Sequence, residues 1–219
     1  MKQFDVSTFD VPRFDAILSR GLSVGVGERE GQMCIEAAIC TVLDLPHGDD
    51  PQCVTKSVRS FKISLNDREW SSPTARSTGL RDLGLAQLGS LGIVDSKEFA
   101  TRLAKKTIGV MLPMLIREKH PTDLALLNAA QICENEGTLE SALALRKFLW
   151  DAYADAYAYV YVYVYTAAAA AAAADAAAAA AAYAYAFPKT DKYLLLGAKL
   201  ALDVLQELGS PGIALLDKK

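Results

Sequence analysis

The chain has 219 residues, 52% of them hydrophobic, and a formal net charge of −3. That is room for one sizeable domain, or a domain with an appendage, although much of the hydrophobic fraction is alanine, which buries little area per residue. No run of Lys or Arg occurs, and outside residues 151–186 the charges balance at 23 acidic against 23 basic; a nucleic-acid groove needs clustered positive charge and is not expected.

The opening MKQFDVSTFDVPRFD holds no apolar run of the kind a secretory signal needs. It reads as an extended arm over 1–11, tacked down by Val6, Phe9 and Val11. Pro12 suits a first helical position, and Phe14, Ile17 and Leu18 follow at helical spacing, which predicts a helix over 12–20 that Gly21 stops. A glycine-rich loop, GLSVGVGEREG (21–31), leads into a buried helix over 32–43. Asp50-Pro51 has the form of an N-cap and N1 pair and predicts a helix through about Leu65. Ser72-Pro73 repeats that signal for a helix carrying Leu80, Leu83, Leu85 and Leu88. Gly79, Gly84 and Gly89 make it either short and broken or closely packed on a neighbour, since each glycine costs a helix about 1 kcal/mol.

Asp95 to Glu98 has the capping-box form. The helix it opens reaches Val110, and Pro113 kinks or ends it. His120-Pro121 marks a break, and a helix over 122–135 is closed by Gly137. Thr138 caps the next helix. In residues 151–186, 21 of 36 are alanine and eight of the chain's nine tyrosines lie between 153 and 185. YAYVYVYVY alternates as a strand would, but the tyrosines also recur every four residues. With alanine on both sides the helical reading is preferred. A helix over 139–187 would be about 70 Å long, so it must project, bend or pair with another copy. Thr190 and Gly209 bracket a final amphipathic helix over 191–208. The expected fold is all-α: an irregular multi-helix bundle with one long Ala/Tyr-rich helix, divided into a helical head (1–137) and a second part (138–219) whose last helix packs back on the head. No membrane span is expected, because the tract is barely hydrophobic and interrupted by tyrosines and Asp175.

Several constellations could carry chemistry. Cys34 stands where a helix begins after a glycine-rich loop, a setting that lowers a thiol's pKa. GQMCIEAA resembles the nucleophile region of papain-like cysteine hydrolases. That resemblance implies Cys34 as nucleophile, with His47 or His120 as base and Asp49 beside His47; the alternative is a small buried core residue. Cys34, Cys40, His47 and Cys53 are zinc-ligand types, but C-x5-C-x6-H-x5-C is no standard knuckle. Cys34 and Cys40 also fall on opposed sides of a helix, so no metal and no cofactor are expected. Four cysteines in a chain this long point to free thiols in a reducing cytoplasm, not to a disulfide framework. The loop with Arg29 before the helix could present N–H groups to a phosphate. Asn66, Arg68, Trp70, Ser72 and Arg76 could stack on and pair with a planar anion, or form a capped turn with Trp70 in the core. Tyr153, Tyr157, Tyr161, Tyr165 and Tyr183 suit an interface, since tyrosine gives large area with a polar tip.

Taken in order, the glycine-rich loop, GQMCIEAAICTVLDLPHGDDPQCV, SLNDREWSS, GLRDLGLAQLGS, the alanine-rich tract and the closing YLLLGAKLALDVLQELGSPG resemble a group of uncharacterised proteins of bacteriophage and some bacterial genomes. The resemblance implies a phage-accessory context and carries no transferable function. The function expected is that of a non-catalytic binding protein in the cytoplasm, a homo-oligomer that holds a small anionic, nucleotide-like host signal or a host defence protein. The alternatives are a thiol-dependent hydrolase or transferase using Cys34, and a self-assembly protein acting through the Ala/Tyr helix.

Overall fold

In the computed structural model, residues 4–152 and 190–217 are described, with side chains through Leu145 and again from Thr190. The fold is all-α, and two isolated β-bridges, from Met33 to Leu22 and to Gly27, are the sheet-like contacts among the described residues.

The first helix, α1 (Val11–Leu18), starts where the Asp10 carboxylate accepts from the Arg13 N–H. It buries Val11, Phe14, Ile17 and Leu18, with Phe9 edge-on to Phe14. Helix α2 (Ile35–Val42) is short and buried on nearly every side. Helix α3 (Lys56–Asn66) begins later than Asp50-Pro51 predicts. Thr55 is its N-cap residue, and its hydroxyl is drawn to the carbonyls of Ser90 and Val94. Asp50 pairs with Arg59, and Gln52 takes φ +51, which no helix permits. Long-range partners thus set the start of α3.

Helix α4 (Pro73–Ala86) lies at the centre, against α1, α2 and the last helix. The Ser72 hydroxyl caps it by accepting from Ala75 N–H at 3.0 Å. Its glycines are closely packed, not breaks: a Cβ on Gly79 would stand 2.6 Å from the Trp70 ring, and one on Gly84 2.9 Å from Ile35. Gly89 turns the chain at φ +72.

Helix α5 (Ser96–Lys106) opens on the Asp95 cap, which accepts from Glu98 N–H at 2.8 Å. A wide π turn (Thr107–Met111) joins it to α6 (Leu112–Lys119). Pro113 stands at the start of α6 directly after the π turn, and the chain stays helical through it with Pro113 buried. Helices α7 (Leu124–Glu136) and α8 (Leu139–Ala152) form a hairpin across Gly137 at φ +59, with Thr138 and Ser141 capping each other. The expected continuous helix over 139–187 is seen as α8 to Ala152. The remainder, with Tyr153, Tyr157, Tyr161, Tyr165 and Tyr183, lies outside the described residues. Helix α9 (Asp191–Glu207) packs along α4 and touches α5 and α3, burying Leu194, Ala198, Ala201 and Leu205. A 3-10 turn after it (Pro211–Leu215) sits on the end of α4, where Ser210 donates to Ala86 O at 2.5 Å. No helix of the described residues is long and apolar enough to cross a membrane.

Candidate functional site

The residues predicted to hold an anion gather where α3 ends and α4 begins. Trp70 is 6% exposed; its indole N–H donates to Leu65 O at 3.0 Å and its ring lies over Gly79. Arg76 is buried and donates to Leu22 O at 2.7 Å and, through its other nitrogen, to Arg68 O at 3.4 Å. Asn66 donates to Ser23 O at 2.9 Å and accepts from Ile35 N–H at 3.4 Å. Ser72 is the α4 cap, and Ser71 is bonded to Asp191 at the start of α9. Arg68 is half-buried in the same turn, whereas Arg29 stands exposed on the 21–31 loop. The structure therefore brings Asn66, Arg68, Trp70, Ser72 and Arg76 together; the side chains of Asn66, Trp70 and Ser72 and the two terminal nitrogens of Arg76 bond the fold itself, while the buried Arg76 Nε has no hydrogen-bond partner among the described residues.

Cys34 is the N-cap of α2, with its sulfur accepting from Ala37 N–H at 3.4 Å. The helix start alone would lower its pKa. Burial outweighs it and pushes the thiol up to about 11, with the Glu36 carboxylate adding to the rise. His47 lies in the turn after α2, where its Nε2 meets Gly27 O at 3.1 Å. That carbonyl can only accept, so Nε2 carries the proton. Asp49 is half-buried on the same turn and, with Cys34, lines a cavity of about 80 Å³. Cys40 and Cys53 are buried free thiols. Among the described residues no group of three or more His, Cys, Asp or Glu could hold a metal ion.

Sequence reasoning missed a charge pair in the core. Glu36 of α2 and Lys62 of α3 are both fully buried, with Lys62 Nζ 3.1 Å from Glu36 Oε1. Gln87, the C-cap of α4, donates to Glu36 Oε2 at 2.8 Å. Desolvation pushes the Glu36 carboxyl up and the Lys62 amine down, each opposed by the charge of the other. The available signal was a lone glutamate within the apolar run MCIEAAIC, together with Lys62 one helical turn from Val58 on the buried face of α3.

Another feature lies at the opposite end of α3. The arm, the end of α2, the 51–53 turn and the 91–93 turn enclose an open groove of about 870 Å³. Phe4, Leu43, Leu45, Pro51, Leu91 and Ile93 give it an apolar wall, with Asp5 the charged residue among its lining. Leu91 is 39% and Ile93 44% exposed. Among the described residues, the non-glycine positions with positive φ are Asp44 (+54), which pairs with Arg13, and Gln52 (+51), which lines this groove. Such backbone is costly for a residue with a Cβ, and strain of this kind gathers at functional sites. Nothing in the local sequence singles out Leu91 and Ile93, because their exposure is decided by what the fold leaves uncovered.

Compared with protein-family models, curated proteins and solved structures, the chain matches none.

Proposed function

We propose that the protein is a non-catalytic binding protein and that the groove bounded by Leu91 and Ile93 receives an apolar segment of a partner protein. The observation that carries this reading is a groove of about 870 Å³ with an apolar wall and two half-exposed aliphatic side chains at its mouth. Its volume is that of a binding site. Its lining lacks the convergent positive groups a small anion would need, and apolar side chains left open at a rim mark interaction surfaces. In the phage-accessory context implied by the resemblance, the partner is a host protein.

A peptide-display selection on the purified chain tests this. Peptides with large apolar anchors should be enriched, and Leu91→Asp with Ile93→Asp should weaken them about 10- to 100-fold, the loss expected for one or two buried aliphatic contacts. Peptides held equally well by the double variant would refute the groove. A thermal shift with nucleotides but no peptide enrichment would return the anionic reading, and association of the chain with itself that the double variant abolishes would make the occupant a second copy.

A further inference from the structure

Residues 23–33 leave the body and return to it beside Cys34. The base of this segment is fixed: Leu22 and Met33 are buried, Leu22 N–H donates to Pro73 O at 3.0 Å, and Arg76 donates to Leu22 O at 2.7 Å. The tip is held differently. Gly25 N–H donates to Asp67 Oδ1 at 2.9 Å, His47 Nε2 donates to Gly27 O at 3.1 Å, and Cys34 N–H donates to Val26 O at 3.1 Å. Between 24 and 31 the apolar side chains are Val24 and Val26; Val24 is already 57% exposed, so lifting the tip uncovers little more than Val26. Gly25 and Gly27 take φ +63 and +72; a Cβ on Gly25 would meet nothing within 4 Å, whereas one on Gly27 would stand 2.4 Å from Gln32 O within the same loop, so the open space is at Gly25. Under the tip, Gly25 and Val26 close the cavity of about 80 Å³ whose other walls include Cys34, Glu36, Asn66 and Asp67.

We infer that residues 24–31 form a strap that opens locally on the fixed base, and that this opening, not unfolding of the core, controls access to the Cys34 thiol. The strap joins the body through a few hydrogen bonds at its tip and almost no apolar area, which is the profile of a low-stability unit. Its opening also lessens the burial around the sulfur. Desolvation is the largest cause of the raised thiol pKa, and Ala37 N–H at the helix start opposes it. With the strap lifted the first is relieved and the second stays. A thiol that is inert when covered thereby becomes an available nucleophile.

Alkylation by iodoacetamide, read at each cysteine by peptide mass spectrometry across a low-urea series, tests this on the full chain. Cys133, fully buried in α7, is the internal reference. Cys34 should label at a rate almost independent of urea, while Cys133 labelling rises steeply with it. His47→Ala removes one tip hydrogen bond, and Asp67→Ala removes another together with the Asn66 bond to the same oxygen; each should speed Cys34 about two- to tenfold and leave Cys133 unchanged. Equal urea dependence at the two cysteines would overturn the inference, as would variants that leave Cys34 unchanged or speed both alike. If a variant does not fold, the wild-type urea series decides alone.

Discussion

The two ends of α3 treat their side chains in opposite ways. At its C-terminal end, Asn66, Trp70, Ser72 and Arg76 have the chemistry of a ligand site, and each is hydrogen-bonded to a neighbouring backbone group. At its N-terminal end, Leu91 and Ile93 have the chemistry of a core and are left at the surface of a groove. Residue type predicts function only when the partners are known. A tryptophan beside arginines is a ligand platform if the indole N–H is free and a structural joint if Leu65 O accepts from it.

The largest way to probe this contrast is the buried pair on the middle of α3. Removing either partner leaves the other charge unpaired in the core, so Glu36→Gln and Lys62→Met should each cost about 3–5 kcal/mol, and the double variant less than either. Urea unfolding measures this. The pH dependence separates the singles. Without Lys62, Glu36 keeps a pKa raised above its ordinary 4.5 by desolvation, so the folded state binds more protons and Lys62→Met loses stability as pH climbs from there. Without Glu36, Lys62 keeps a pKa lowered below its ordinary 10.5, so the unfolded state binds more protons and Glu36→Gln gains stability as pH rises toward that value. The intact pair should be flatter, because a proton passed from Lys62 to Glu36 changes no proton count. Parallel pH profiles for the two singles would show that the pair is not coupled.

A smaller effect belongs to the joint itself. Gly79→Ala places a methyl 2.6 Å from the Trp70 ring and 2.9 Å from Leu195. Helix propensity favours alanine by about 1 kcal/mol, whereas overpacking costs about 1–3 kcal/mol. A net loss of stability is expected, with near-ultraviolet circular dichroism of the tryptophan altered. A net gain would mean that Trp70 moves aside easily, and the ligand-platform reading of this end would regain force.

What could be read from the residues was what neighbouring residues decide. Ser72-Pro73, Asp95 with Glu98, Gly137, and Thr138 each mark a helix end where the structure has one, because a cap is a bond between positions three or four apart. Asp50-Pro51 has the same local form and fails, because Thr55 finds Ser90 and Val94, some 35 and 39 residues away. The three glycines read ambiguously for the same reason: only the approach of Trp70 and Ile35 shows that Gly79 and Gly84 are contact points. The gathering of Asn66, Trp70 and Arg76 was legible from their closeness in the chain, but the identity of their partners was not. The groove was the least legible, since Gly-Ser-Leu-Gly-Ile-Val-Asp reads equally well as a turn entering the core.

The smallest expected effect lies at the groove rim and has the opposite sign. The Cys53 N–H returns to Pro51 O across Gln52, and Gln52 itself stands at φ +51. A three-residue turn with positive φ is rare and strained. Left-handed backbone costs a residue with a Cβ about 1–2 kcal/mol, and glycine adopts it freely. Glycine also adds about 0.5–1 kcal/mol of chain entropy to the unfolded state. Gln52→Gly should therefore stabilise the fold slightly, by about 1 kcal/mol or less, measured by urea unfolding. If it also loosens the 51–53 turn and weakens the peptides selected on the wild-type groove, then the strain holds the wall beneath Leu91 in place for a partner, since Leu91 N–H is bonded to Cys53 O at 3.0 Å. If stability falls instead, the Gln52 side chain contributes more to the fold than its backbone costs, and the contrast between a committed end of α3 and an open one narrows.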